Sequence, residues 1–170
     1  MTRNTSALAA LGMAALATGC ISVDSYEQAP PRLPPAGPVR FDNPASVAAP
    51  VGAYSHAAIV PQGAELIAIA GQVGLALDGS LPPTAEAQFE QALSNVLRIV
   101  ESQGGSARDI VKINMYMVQG ERGLDYDKLR LIRGALLGEA RPASTLVYVS
   151  GLARPEYLVE IEAWAVKRAR

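Results

Sequence analysis

Between Pro82 and Gly105 the residues Phe89, Leu93, Val96, Leu97 and Val100 recur at helical spacing and form one apolar stripe. Pro82-Pro83-Thr84 introduces this helix with Thr84 as N-cap, Glu86 and Glu90 occupy its first turns, and Gly104-Gly105 stops it. Over Ile110–Val118 the period changes to two. Val111, Ile113, Met115 and Met117 fall on one side, and Lys112, Asn114 and Tyr116 on the other, which predicts a strand. A second helix is expected over about Leu124–Leu137, with Leu129, Ile132 and Leu136 inward and Gly138 after its end. Two strands follow, Thr145–Val149 and Leu158–Val166, separated by a loop containing Gly151 and Pro155. Upstream, Tyr54–Val60 and Leu66–Gln72 read as strands joined by the hairpin-like Pro61-Gln62-Gly63-Ala64, and Asp78-Gly79 marks a turn.

The order is therefore ββαβαββ, an α+β arrangement with two helices packed on one face of a mixed sheet. The covered face is expected to hold Val111, Ile113, Met115, Ile161 and Ala163. The opposite face then carries Lys112, Asn114, Tyr116, Glu160, Glu162 and Trp164, a mixture of charge, amide and aromatic surface. Such a face is either simply solvated or buried against other subunits with polar residues lining clefts at the contacts. Trp164 favours burial, since a Trp on a wet sheet leaves apolar area in water.

The ends of the chain have a different composition. Residues 1–19 read as a lipoprotein-type signal peptide. Arg3 is a short positive region, Ala7–Ala17 an apolar one too short to span a bilayer, and small residues lead to Cys20. Leu16-Ala17-Thr18-Gly19-Cys20 resembles a lipobox, although Leu16 stands four residues before the cysteine where three is usual. An ordinary cleaved signal and a cytoplasmic chain with an apolar N-terminus are the alternatives for this segment, and a buried structural thiol is the alternative for Cys20. Lipidation of Cys20 would make the protein exported and anchored to the cell envelope. Residues 20–50 hold seven of the twelve prolines and few large apolar side chains, and read as a Pro-rich tether. Residues 51–170 are left as one domain.

Composition narrows the chemistry further. A net charge of −1 without a long basic block argues against nucleic acid and against a polybasic membrane patch. One Cys and one His exclude a zinc cluster or a disulfide framework within one chain.

Several short segments fall in chain order. They are Gly52-Ala53-Tyr54-Ser55-His56-Ala57, Ala70-Gly71-Gln72-Val73-Gly74, Asp109-Ile110-Val111-Lys112, Arg141-Pro142-Ala143-Ser144-Thr145 and Val159-Glu160-Ile161-Glu162-Ala163. With Asn95-Val96 and Ile99-Val100-Glu101, they resemble the reactive intermediate/imine deaminase (Rid, RidA-like) family over nearly all of Val51–Arg170. The resemblance implies a chorismate-mutase-like fold, a homotrimer with small-molecule sites in clefts between subunits, and hydrolysis of enamines and imines without metal or organic cofactor. It implies that Glu160 orients water, that Tyr54 lines the pocket, that the backbone of Gly71 approaches the ligand, and that Asp127 stands where many members have Asn. It also implies a departure: Ser144 occupies the place of an Arg that grips the substrate carboxylate through two parallel hydrogen bonds.

Other residues invite weaker readings. His56 is a base or a structural histidine; Glu162 either pairs with Glu160 or holds Lys112 or a neighbouring Arg. Lys128, Arg130 and Arg133 read as a solvated helix face, with anion binding as the alternative, and Met115 and Met117 read as core. Three function classes stay open: an imine or enamine hydrolase, a non-catalytic binder of a small metabolite, and a structural or partner-binding trimer.

Overall fold

The computed structural model describes residues 37–120 and 123–167, within a compact unit spanning Leu33–Arg170. In chain order the elements are β1 (Arg40–Asp42), β2 (Ala57–Ile59), β3 (Glu65–Val73), α1 (Ala85–Ser102), a 3-10 turn (Ala107–Asp109), β4 (Ile110–Val118), α2 (Tyr126–Leu137), β5 (Ala143–Val149) and β6 (Val159–Lys167). The α+β class and the two helices are as the periodicity predicts. Residues 1–36, with Cys20 and most of the expected tether, lie outside the described residues.

Both helices begin at side-chain caps. Thr84 accepts from the Ala87 amide at 3.3 Å, and Asp125 accepts from Asp127 and Lys128 at 2.9 and 3.3 Å. Gly104 (φ +81) and Gly138 (φ +56) adopt the positive φ that ends a helix without steric cost.

β3, β6, β4 and β5 form a sheet in that order. β6 runs antiparallel to both neighbours, whereas β4 and β5 are parallel and are connected through α2. Ile113, Met115, Met117, Ile161, Ala163 and Ala165 supply one face of the core, and Phe89, Leu93, Val96 and Val100 of α1 close over it. α1 lies on β3 and β6, and α2 packs on α1.

Three expectations need correction. β2 does not form a hairpin with β3; the Pro61–Ala64 turn is present, with Ala64 donating to the Pro61 carbonyl at 3.3 Å, but β2 pairs antiparallel with β1. The spacer expected up to Pro50 accordingly includes a strand. Val39–Asn43 is free of proline and can donate to a ladder, and Asn43 Oδ1 accepts from the His56 amide at 2.9 Å. Arg133, expected on a solvated face, is buried in line with Leu129 and Leu137 on the inner side of α2.

Two bulges interrupt the sheet. One lies between Ile110 and Lys112, so that Ile110 and Ile113 both reach the core where strict alternation would expose Ile110. The other lies between Ile69 and Gln72 of β3 and shapes the site described next.

Candidate functional site

Along β3 the register runs Ile69 to Ala163 and then Gln72 to Ile161, leaving Ala70 and Gly71 facing a single step of β6. The Gln72 side-chain amide donates back to the carbonyls of Ala70 and Gly71 at 3.0 and 3.3 Å and satisfies the bulge. The displaced backbone of Gly71 lies against Glu160. A Cβ built on Gly71 would fall on the Glu160 carboxylate, so only glycine leaves room for that side chain in this position.

Glu160 faces Val73 of β3 and Tyr116 of β4, on the side of the sheet away from α1. Its neighbour in parity, Glu162, is already engaged: Asn114 Nδ2 and the Tyr116 hydroxyl donate to the same Oε1 at 2.7 and 3.2 Å. The expected Glu162–Lys112 pair does not form, because Lys112 Nζ donates to Thr145 Oγ1 at 2.6 Å. Among the described residues the Glu160 carboxylate accepts no side-chain hydrogen bond, which leaves its lone pairs for a water or ligand. The Tyr116 hydroxyl is held above its ordinary pKa of 10.0, first by the bond to Glu162, then by desolvation and by the charges of Glu162 and Glu160. It therefore stays a neutral phenol beside two carboxylates. Sequence reasoning placed Tyr116 on this face without giving it a role; its parity match to Glu160 was the available signal.

The other expected residues gather elsewhere. Ser55 bridges Ala143 in parallel, which lays Tyr54, Ser55 and His56 along the outer edge of β5 beside Ser144. Tyr54 and His56 meet edge to face with centroids 5.7 Å apart, and His56 Nε2 stands 2.7 Å from the Ala48 carbonyl, a structural tie. Ser144 pairs with Ile113 and so shares the helix side of the sheet, opposite to Glu160. With β4 between β5 and β6, the two strands are separated by about 10 Å. Asp127 joins neither group: it is exposed in the first turn of α2, 3.7 Å from Arg130. One protomer thus holds the expected site residues in two separate groups, Gly71 with Glu160 near one edge of the sheet and Tyr54 with Ser144 at the other. Among the described residues no group of three or more His, Cys, Asp or Glu is placed to hold a metal ion.

Comparisons with known proteins place this architecture. A family model described as endoribonuclease L-PSP matches residues 45–167. A RutC family protein of Pyrococcus horikoshii is 32% identical over 125 residues, covering 69% of this chain and 90% of the relative. Among solved structures, YyfB from Yersinia pestis, a Rid family protein of unknown function, has a TM-score of 0.65 at 29% identity and covers 76% of this chain and 98% of its own. RidA from an Antarctic Psychrobacter has a TM-score of 0.54 at 34% identity, covering 69% and 90%. TdcF from E. coli, solved with bound serine, has a TM-score of 0.55 at 25% identity, covering 69% and 91%. With the α+β order, the mixed sheet and the family match all falling on the same stretch, the chain belongs to the endoribonuclease L-PSP family and is a RidA-like protein.

Proposed function

We propose that this protein binds a small metabolite in clefts between copies of itself and hydrolyses an imine or enamine there, with Glu160 orienting the water. The observation that carries the reading is the bulge at Gly71, which clears space beside a carboxylate with no hydrogen-bond partner among the described residues. In this reaction Glu160 takes a proton as water adds to the imine carbon, forming a carbon–oxygen bond. That proton is returned to nitrogen, giving a carbinolamine; its hydroxyl proton then passes to nitrogen as the carbon–nitrogen bond breaks, so that ammonia leaves and the oxygen stays as a carbonyl. Tyr116, a neutral phenol whose proton is committed to Glu162, stands beside Glu160 and offers its oxygen only as an acceptor there.

The separation of the two groups supports assembly as a homotrimer. A small ligand cannot span from Ser144 to Glu160 within one protomer, whereas a second copy can bring its β5 edge to the first copy's β3 edge. Trp164 and Val147, each 41% exposed, stand on the same open face as Glu160 and would be covered by such packing. Bound serine in TdcF supports an amino-acid-sized ligand. The family description names an endoribonuclease, but a net charge of −1 without a basic stripe offers little attraction for an RNA backbone.

A second reading, binding without turnover, is favoured by Ser144, whose hydroxyl lacks the charge and fork geometry to hold a carboxylate. Hydrolysis of a freshly generated amino-acid imine by wild type, Glu160→Gln and Ser144→Arg separates the two. Activity in wild type that is lost in Glu160→Gln supports hydrolysis; silence in wild type with activity in Ser144→Arg supports a binder that has given up the carboxylate grip. We also propose that residues 1–19 are removed, that Cys20 carries the lipid, and that the Pro-rich stretch tethers the domain to the envelope. Detergent-phase partitioning of wild type that is abolished in Cys20→Ser is the corresponding test.

A further inference from the structure

The inner side of α2 carries a residue out of keeping with its surroundings. Leu129, Arg133 and Leu137 recur every four positions and are all buried, so a guanidinium interrupts what is otherwise an apolar stripe. Arg133 is only 8% exposed, and its Nε and Nη2 atoms are buried without a hydrogen-bond partner. Among the described residues no carboxylate forms an ion pair with it. Burial disfavours its charged form, the charge of the Arg141 guanidinium adds to that effect, and Tyr126 works against it. A buried charge without a counter-ion is among the least favourable arrangements in a folded protein, and here two like charges approach one another.

We propose that Arg133 and Arg141 form a receptor for a small carboxylate. Nε and Nη2 make up one edge of the guanidinium, the edge whose two parallel N–H groups match the two oxygens of a carboxylate. Arg141 is the exposed partner. Its Nη1 is fixed to the carbonyls of Gly138 and Ala140 at 2.7 and 2.9 Å, which anchors the charge beside the start of β5. No hydrogen bond among the described residues holds the Arg133 side chain, so its Nε–Nη2 edge is left for the carboxylate. The receptor goes beyond the reading of Glu160 above, because it lies within one protomer and does not require turnover.

The test compares potassium acetate with potassium chloride at equal ionic strength, using the full chain. Two readouts apply: the thermal midpoint, and line broadening of the carboxylate carbon of ¹³C-acetate. Acetate should raise the wild-type midpoint above its value in chloride and broaden the resonance. Arg133→Met should raise the midpoint in chloride, because a buried charge is gone, and should weaken acetate binding by about tenfold or more. Arg133→Lys keeps the charge but lacks the fork, and should weaken it by a smaller factor. Equal responses to acetate and chloride in wild type would overturn the proposal, as would an undiminished acetate response in Arg133→Met. A fall in oligomer mass in Arg133→Met, with no acetate response in wild type, would also overturn it by assigning the guanidinium to a carboxylate of another copy. Glu160→Gln should leave the acetate response intact, so failure of the receptor and failure of the hydrolase reading are distinguishable.

Discussion

Gln88 Oε1 accepts the backbone amide of Leu158 at 2.8 Å, joining α1 to the entrance of β6 across 70 residues of sequence. The same side chain donates from Nε2 to the carbonyls of Pro82 and Glu156, each at 3.0 Å, and it is 1% exposed. Gln88→Leu keeps the volume but strands one amide and two carbonyls. It is expected to cost about 3 kcal/mol. A urea midpoint lowered at unchanged slope would show it; an unchanged midpoint would mean that water replaces all three bonds.

Gly71→Ala has the opposite profile. The atoms that an added methyl group meets are those of the Glu160 side chain, not backbone. Glu160 should therefore turn aside while the sheet persists, leaving the thermal midpoint nearly unchanged and suppressing hydrolysis or ligand binding about as strongly as Glu160→Gln. Full activity in Gly71→Ala would remove Glu160 from the site.

The phenol of Tyr116 gives a spectroscopic handle. Its pKa is raised mainly by the hydrogen bond to Glu162, so Glu162→Gln should move its ionisation down toward 10.0. Phenolate absorbance against pH, with Tyr116→Phe subtracted to remove the other tyrosines, reads the shift. Because the folded-state value is the higher one, the associated stability is fully present below the unfolded pKa and fades as pH rises through the folded one.

A similar linkage operates between the helices. Lys128 of α2 donates to Glu86 in the first turn of α1. That bond lowers the Glu86 pKa from 4.5 and raises that of Lys128 from 10.5. The carboxylate contributes stability above 4.5 that is lost as pH falls through its lowered value, and the amine contributes below 10.5 until pH passes its raised one. Glu86→Gln should thus lower the thermal midpoint slightly between these limits and have no effect in stronger acid. A deficit that persists in strong acid would point to lost packing instead. The effect is small because both side chains are solvent-accessible.

Periodicity made α1, β4 and β6 legible, since each presents a clean stripe of 3.6 or alternation of 2 with a large apolar face. It also placed Glu160, Glu162 and Tyr116 together, as strand parity is a local property. What it missed depends on non-local geometry. The bulge at Ala70–Gly71 is a mismatch between β3 and β6 that neither strand encodes alone, so the meeting of Gly71 and Glu160 is not visible as spacing. β1 is three residues long and is fixed by its pairing to β2, not by any pattern of its own. Arg133 escaped because a hydropathy stripe counts arginine as polar whatever it packs against.

The position of β6 has a consequence for how the chain reaches its native state. Among the described strands, β6 comes last in chain order, and it separates β3 from β4 and hydrogen-bonds to both. Until it emerges from the ribosome those two strands have no common partner, and the apolar side of the sheet cannot be sealed beneath α1. Folding of this domain is thereby deferred until β6 has been made, and loss of β6 removes the seam of the sheet instead of trimming its border.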